Sequence, residues 1–179
     1  MNDCLFSVCI DMQNDFIYGS LGSPAAQLIV PVVADHIKKL ATPVIFTRDT
    51  HNGDYLKTME GKYLQKPHCM RESSGWCIAD QIMRVIESKS RDDFMIINKD
   101  RFGSFDLVTA IRNNFQQSPN KIEIFGLCTD ICVITNALIL KTSFPDIPIV
   151  CKSGLCAGTS VENHKAALAV MKSCQIEIE

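Results

Sequence analysis

The chain has 179 residues, enough for one domain that buries roughly two thirds of its unfolded surface without disulfides. Its 18 basic and 20 acidic side chains are scattered and give a formal net charge of −2, which excludes an extended basic surface for nucleic acid or anionic lipid. No apolar run approaches the ~20 residues of a membrane span and no basic secretion signal opens the chain, so we expect a cytoplasmic protein with a small neutral partner.

Apolar runs and helical repeats alternate along the chain. Runs rich in β-branched and aromatic residues predict six strands, at 5–10, 43–47, 94–98, 121–125, 147–151 and 175–178. Apolar residues at helical spacing predict helices at 25–40, 76–86, 105–115, 131–140 and 161–174. Pro31 marks either a kink in the first helix or a later start. The alternation predicts a single three-layer α/β/α domain of the Rossmann-like kind, with a mostly parallel six-stranded sheet.

Reactive side chains stand where the predicted strands end. The first three strands close at Asp11, Asp49 and Lys99, and the fourth leads to Cys132 in the first turn of a helix. In parallel sheets, ligands bind outside these carboxyl ends. Free N–H groups and the dipole of a helix start favour a thiolate at Cys132, although a free cysteine is more often a small buried hydrophobe. Together the set supplies a nucleophile, a base and a cation.

No G-x-G-x-x-G motif follows the first strand, so a dinucleotide site loses its main support. The nine cysteines are odd in number and several lie in predicted core strands, which suits reduced thiols better than a disulfide framework. Because no C-x-x-C pair occurs, a zinc site made of cysteines alone is not expected.

A second group of candidate ligands lies in the long polar segment 50–74 and just before it. Asp49 and His51 are two residues apart, and Glu60 and His68 follow. Two imidazoles with one or two carboxylates suit a divalent metal: zinc, or alternatively iron or manganese. Loops of this length in compact domains are usually functional or disordered, and these residues favour function.

Three segments carry a family resemblance: 10–16 around Asp11, 98–105 around Lys99, and 126–133, Gly-Leu-Cys-Thr-Asp-Ile-Cys-Val, around Cys132. They resemble the Asp-Lys-Cys triad of the isochorismatase-like cysteine hydrolases. The resemblance runs from the first strand through 157–159 and His164, and so implies one domain over residues 1–179. The metal-ligand candidates Asp49, His51 and His68, with Glu60 as a possible fourth, are similar to those of the nicotinamidase branch.

The resemblance implies amide hydrolysis, with nicotinamide converted into nicotinate and ammonia in cytoplasmic NAD salvage by a homo-oligomer. Asp11 would take the proton of Cys132, whose thiolate attacks the carboxamide, and Lys99 would balance the pair. The backbone N–H groups of Cys128 and Cys132 would bind the oxyanion, each worth about 3 kcal/mol. The Leu127–Cys128 peptide would be cis, and the metal would bind the pyridine nitrogen or a water.

The chain departs from the nicotinamidase pattern at the substrate pocket. Tyr63 or Leu64 would replace the aromatic residue that many members carry just before Pro-His, and Phe102 stands where the usual tyrosine would be. Phe16 and Phe102 are candidate walls of an aromatic pocket, with ordinary core packing as the alternative. The other two histidines, one on a solvated helix face and one in the last helix, are interpreted as structural.

Two alternatives stay open. Another cysteine amidohydrolase of the same fold would act on a ureido, carbamoyl or similar small amide, with a dispensable metal. A non-catalytic module for small ligands would keep the fold, and an inert thiol at Cys132 would favour it.

Overall fold

Six parallel strands form the centre of the protein in the computed structural model, which describes residues 5–89, 94–113 and 119–179. The spatial order is β3-β2-β1-β4-β5-β6, and every neighbouring pair is parallel. The prediction of a mostly parallel six-stranded sheet is therefore confirmed. The strands are β1 Leu5–Ile10, β2 Val44–Asp49, β3 Phe94–Lys99, β4 Lys121–Leu127, β5 Ile149–Ala157 and β6 Glu177–Ile178.

Helices cover both faces of this sheet. The helices are α1 Asn14–Ile17, α2 Pro24–Lys39, α3 Met59–Tyr63, α4 Asp80–Glu87, α5 Phe105–Asn113, α6 Ile134–Ser143 and α7 Val161–Ser173. Helix α2 packs against α4, whereas α6 packs against α5 and α7. Right-handed crossovers place these two groups on opposite faces. Within the described ranges, none of the helices has both the length and the apolar character of a membrane span.

The core follows from the strand sequences. The central strands β1 and β4 carry apolar residues on both faces, as strands covered on both sides by helices require. Helix α2 begins where Ser23 Oγ accepts a hydrogen bond from the N–H of Ala26. Pro31 lies inside that helix, so the helix neither starts later nor stops there.

Several element boundaries differ from the sequence prediction. Helix α4 starts at Asp80 rather than at residue 76, because Ala79 N–H bonds to Met12 O (2.9 Å) and Ile78 pairs with Gln13. Strand β5 continues beyond residue 151 to Ala157, with a register shift opposite β4. The predicted helix 105–115 is observed to Asn113, and its last two residues lie outside the described part of the chain.

The long segment 50–74 is ordered by short elements of its own. A 3₁₀ helix spans Tyr55–Lys57, and α3 follows directly. The Tyr55 hydroxyl donates to Leu64 O (2.9 Å), and Thr58 Oγ1 accepts from Gly61 N (3.0 Å). The segment is thus folded onto itself, which suits a functional loop better than a linker.

Candidate active site and metal-ligand group

Asp11, Lys99 and Cys132 meet at the carboxyl ends of β1, β3 and β4. The Lys99 ammonium lies 2.6 Å from Asp11 Oδ2 and 3.5 Å from Cys132 Sγ. The same ammonium lies 3.5 Å from Asp49 Oδ1. All four side chains are buried. The residues that the sequence places at four separate strand ends therefore form one cluster.

Asp11 is held in an unusual backbone conformation. Its φ is 45°, in the left-handed region that side chains other than glycine rarely adopt. Its N–H points to the carbonyl and hydroxyl oxygens of Thr47, at 3.3 and 3.2 Å, and Thr47 Oγ1 donates to Asp11 Oδ1 (2.7 Å). Such outliers often mark functional sites. Here the outlier fixes a carboxylate next to an ammonium.

Burial and neighbouring charges both shift the pKa values of Asp11, Lys99 and Cys132. Burial raises the pKa of the Cys132 thiol well above its ordinary value, and the charge of Lys99 only partly opposes this shift. Burial also raises the pKa of Asp11, again against Lys99. Although burial alone would lower the pKa of Lys99, Asp11 and Cys132 raise it well above its usual range. The prediction that the helix start favours a thiolate at Cys132 is therefore wrong, because desolvation outweighs the opposing charge of Lys99.

A tight turn joins β4 to the cysteine. The Leu127–Cys128 peptide bond is cis, as the family resemblance implied. The turn that follows, Thr129–Val133, has π-helical geometry and continues into α6. Just before it, Gly126 has φ of +120°, and a Cβ there would lie 2.1 Å from Ile10 O, so only glycine fits. Cys132 thus sits in a π turn rather than in a regular first helical turn.

Asn136 fixes the carboxyl side of that turn. Its amide donates to Cys132 O (2.7 Å) and to Phe102 O (3.0 Å), and its oxygen accepts from Ser104 N (2.9 Å). It is completely buried. This residue ties the helix that carries the cysteine to the loop after β3. The sequence analysis missed it, although a lone asparagine in an apolar helix was a signal.

The four predicted metal ligands converge beside the triad. One ligand atom from each of Asp49, His51, Glu60 and His68 lies within 4.8 Å of all the others. The closest pair is His51 Nε2 with Asp49 Oδ2, at 2.9 Å. The spread therefore allows all four atoms to contact one small cation.

The donor atoms fit a divalent cation. His51 Nε2 is buried and makes no well-formed hydrogen bond, although a carboxylate oxygen lies nearby. His68 Nδ1 contacts Lys66 O (2.9 Å), which leaves Nε2 free to ligate. Burial raises the pKa of Glu60. Burial would also raise the pKa of Asp49, but the contacts with both histidine rings and the charge of Lys99 outweigh it and hold this pKa well below its usual range. Two carboxylates with two imidazoles suit zinc, iron or manganese.

Gln13 and Tyr55 support this group and were not predicted. The side chain of Gln13 bonds to both the N–H (2.7 Å) and the carbonyl (2.8 Å) of Asp49, and so fixes the end of β2. The ring of Tyr55 packs 4.7 Å from the His51 ring and 5.2 Å from the His68 ring, measured between centroids. Buried Gln13 lies in the motif around Asp11, but its role depends on a strand that follows 30 residues later.

A cavity connects the cysteine with the metal-ligand group. Both predicted pocket residues, Phe16 and Phe102, line this cavity. Phe16 is buried, whereas Phe102 is 48% exposed. Leu64 also lines it, but Tyr63 is 87% exposed and lies outside it. Of the two replacements considered for the missing aromatic residue, the structure favours Leu64. The complete lining is Phe16, Leu21, Asp49, Glu60, Leu64, His68, Phe102, Cys128, Ile131 and Cys132.

The two remaining histidines lie away from the cavity. His36 Nε2 is 2.8 Å from Glu123 Oε1, and its ring packs edge-on against Phe125, so the prediction of a solvated helix face is wrong. It points inward because β4 carries a buried carboxylate beneath it. His164 Nδ1 is 2.8 Å from Thr129 Oγ1, next to the turn that carries Cys132.

Comparison with known proteins adds a family and a set of related folds. The Isochorismatase domain model matches residues 6–178. No curated protein sequence matches the chain significantly. A nicotinamidase/pyrazinamidase from Bacillus subtilis superposes with a TM-score of 0.86 at 24% identity, over 97% of this chain and 98% of that one.

Two further solved structures are similar to this chain. A pyrazinamidase of Pyrococcus horikoshii in complex with zinc gives a TM-score of 0.80 at 24% identity, covering 98% of each chain. An N-carbamoylsarcosine amidase from Thermoplasma acidophilum gives 0.77 at 21% identity, over 98% of this chain and 95% of that one. At these identities the likeness shows the fold.

Proposed function

The chain belongs to the isochorismatase family of hydrolases, and we propose that it is a nicotinamidase-type amidohydrolase that converts nicotinamide into nicotinate and ammonia. One observation carries this proposal. The Lys99 ammonium contacts Asp11 and Cys132 on one side and Asp49 of the metal-ligand group on the other. Cys132 and the metal-ligand residues Asp49, Glu60 and His68 thus line one cavity, and Lys99 links them to the base Asp11. The proposed domain is the whole chain, 1–179.

The reaction begins with proton transfer from Cys132 to Asp11. Because burial raises the pKa of the Cys132 thiol, the thiol needs a base, and burial also raises the pKa of Asp11, which makes this carboxylate a stronger base. Lys99 stays charged and stabilises the thiolate as it forms. The thiolate then attacks the carboxamide carbon, and the carbonyl electrons move onto the oxygen.

The backbone N–H groups of Cys128 and Cys132 bind that oxyanion. Each donor is worth about 3 kcal/mol in comparable sites. When the tetrahedral intermediate collapses, the C–N bond breaks and Asp11 returns its proton to the nitrogen, so ammonia leaves. Water then attacks the thioester, the C–S bond breaks, and the acid and the thiol are released.

A divalent metal, with zinc first and iron or manganese as alternatives, would be held by Asp49, His51, Glu60 and His68. When bound, it supplies Lewis-acid binding for a ring nitrogen or a water. The apolar side chains Phe16 and Phe102 line the same cavity and offer contact to an aromatic ring. This combination favours a flat heteroaromatic amide.

Ammonia release from nicotinamide by the purified protein, with added zinc and with chelator, tests the proposal. We expect turnover that needs zinc and falls at least ~10⁴-fold in Cys132→Ala. The matched control is Cys77→Ala, which removes an exposed free thiol and leaves turnover unchanged. Activity retained in pure Cys132→Ala protein would contradict the nucleophile assignment.

The second candidate is an amidase for ureido or carbamoyl compounds. Leu64 offers the cavity an aliphatic wall, while Tyr63 points away from it, so no aromatic ring from this segment stacks on a pyridine. An N-carbamoyl amino acid in the same ammonia assay separates the two candidates. Turnover of that compound without zinc, together with inertness toward nicotinamide, would favour this one.

We also infer a cytoplasmic homo-oligomer that acts in NAD salvage. Apolar side chains stand in solvent on the single chain, with Leu28 75% and Phe105 74% exposed, and an assembly would cover them. Light scattering after size exclusion tests the assembly, and a strictly monomeric mass would contradict it.

A further inference from the structure

The turn that carries the two proposed oxyanion donors is anchored by a segment outside the catalytic cluster. Thr129 and Asp130 lie between Cys128 and Cys132 in the chain. The Asp130 side chain hydrogen-bonds to Thr159, in the segment that joins β5 to α7, and the Thr129 side chain contacts His164 near the start of α7. This anchor acts on the backbone of the turn rather than on the thiol.

Asp130 makes the stronger of the two attachments. Its Oδ1 accepts from Thr159 N (2.8 Å), and its Oδ2 accepts from the Thr159 hydroxyl. Asn163 Nδ2 donates in turn to that hydroxyl (2.9 Å), so the threonine is itself held in place. Both carboxylate oxygens are therefore used, in charge-assisted bonds that are stronger than neutral ones.

The approach between the two segments leaves no spare room. A Cβ at Gly158 would lie 2.9 Å from Asp130 Oδ1 and 2.8 Å from His164 Cβ. Beside this contact, the buried Thr129 hydroxyl lies 2.8 Å from His164 Nδ1. Thr129 and Asp130, which lie between the two proposed donors in the chain, are thus both held by this neighbouring segment, through His164 and Thr159.

Within the turn, the backbone bonds are local. The N–H groups of Ile131 and Val133 both bond to Cys128 O, each at 3.1 Å. Such bonds set the internal shape of the turn, but its tilt relative to the sheet depends on contacts with other elements. Cys132 Sγ has a partner of its own in Lys99. Loss of the anchor would therefore displace backbone N–H groups more than it would alter the thiolate.

We propose that Asp130 and Thr159 are positioning residues that aim the backbone N–H groups of Cys128 and Cys132 at the oxyanion. This inference rests on the proposed role of Cys132 as acyl acceptor and deepens it. It assigns a task to the segment at 157–159, whose part in the site the sequence analysis left open.

Two reagents that attack the same thiol give the test. p-Nitrophenyl acetate acylates Cys132 through a tetrahedral oxyanion and releases p-nitrophenolate, whereas iodoacetamide alkylates the sulfur by displacing iodide and forms no oxyanion. Each rate is corrected with Cys132→Ala, because seven further free cysteines lie within the described residues. Neither reagent requires the protein to act on nicotinamide, so the test gives a result even if the proposed substrate is wrong.

The variants are Thr159→Val, which removes the hydroxyl and keeps the shape, and Asp130→Asn, which loses one acceptor. We expect acylation to fall about tenfold, below the ~10²- to 10³-fold cost of losing a whole oxyanion donor. Alkylation stays within twofold of the wild type. Thr159→Ser restores acylation, and Thr109→Val, at an exposed threonine on α5, changes neither rate.

Three results would overturn the inference. An equal fall in acylation and alkylation would mean that the anchor supports Cys132 itself. An unchanged acylation rate in both variants, or no acylation of Cys132 in the wild type, would show that these bonds do not aim oxyanion donors. If only nicotinamide turnover fails, the proposed substrate is wrong, and the inference about Asp130 and Thr159 is not affected.

Discussion

Two buried carboxylates in adjacent strands show how burial can serve catalysis or structure. Asp11 follows the last residue of β1, whereas Glu123 lies inside β4, and both are almost inaccessible to solvent. Glu123 Oε1 accepts from Ser7 Oγ (2.7 Å) and contacts His36 Nε2 (2.8 Å). These bonds lower the pKa of Glu123 although burial opposes them.

Asp11 shows the opposite shift because its surroundings differ. Burial raises its pKa even though an ammonium touches it, and a nearby thiol can give it a proton. Burial alone therefore does not identify a carboxylate that can act as a general base. A carboxylate becomes one where it stands at a strand end, beside a proton donor and a cavity.

Removal of the cation at Asp11 should have the largest effect. We expect Lys99→Met to lose about 3 kcal/mol of unfolding free energy, because an unpaired buried carboxylate remains, and to lose nearly all amidase activity. Urea denaturation and ammonia release measure both. Lys152→Met removes a lysine from a partly exposed pair and should cost less than about 1 kcal/mol. Equal losses in the two variants would contradict the buried-pair account.

Neutralising the carboxylates separates their roles. Asp11→Asn should lower kcat/KM by about 10²- to 10⁴-fold, since the thiol loses its base. In the wild type, kcat/KM should fall as the pH drops through the pKa of Asp11, which lies above the ordinary 3.8, because the protonated acid cannot accept a proton. Glu123→Gln is the matched change at the other buried carboxylate. Similar losses of kcat/KM in Asp11→Asn and Glu123→Gln would contradict the different roles of the two carboxylates.

The metal-ligand group gives an intermediate effect. We expect His51→Ala to weaken zinc binding by at least about 100-fold, because one of four convergent ligand atoms is lost. Competition against a chromophoric chelator measures the affinity without any turnover. His36→Ala is the control histidine, and its zinc affinity should match the wild type. Unaltered affinity in His51→Ala would remove this residue from the ligand set.

The smallest effect is expected at Glu123. Because its folded pKa lies below the ordinary 4.5, its contribution to stability is present above that value and is lost as the pH falls through the folded pKa. Glu123→Gln should cost about 1 to 2 kcal/mol at pH 7 and less than that at pH 4. Urea denaturation at the two pH values checks this sign. A larger deficit at low pH would contradict it.

The sheet was predictable because its signals are local. Each apolar run is long enough to identify a strand, and the alternation with helices leaves few topologies. The start of α4 was not predictable. Residues 76–79 have a helical pattern, but Ile78 pairs with Gln13 and Ala79 bonds to Met12, both far away in the chain. The periodicity of a short segment does not reveal its contacts with distant parts of the chain.

The candidate site, like the fold, has features that were predictable from the sequence and features that were not. The sequence by itself determined that Asp11, Asp49, Lys99 and Cys132 share one rim, because parallel strands point their carboxyl ends in one direction. It also indicated the candidate metal-ligand set, because His51, Glu60 and His68 lie in one polar segment.

The surroundings of these side chains, and therefore their pKa values, depend on the tertiary structure. Desolvation depends on everything packed around a side chain, so the raised pKa of Cys132 and the inward turn of His36 could not follow from spacing. Supports such as Asn136, Gln13 and Thr159 act across segments that are distant in sequence. Their roles are set by proximity in space, which the order of residues does not record.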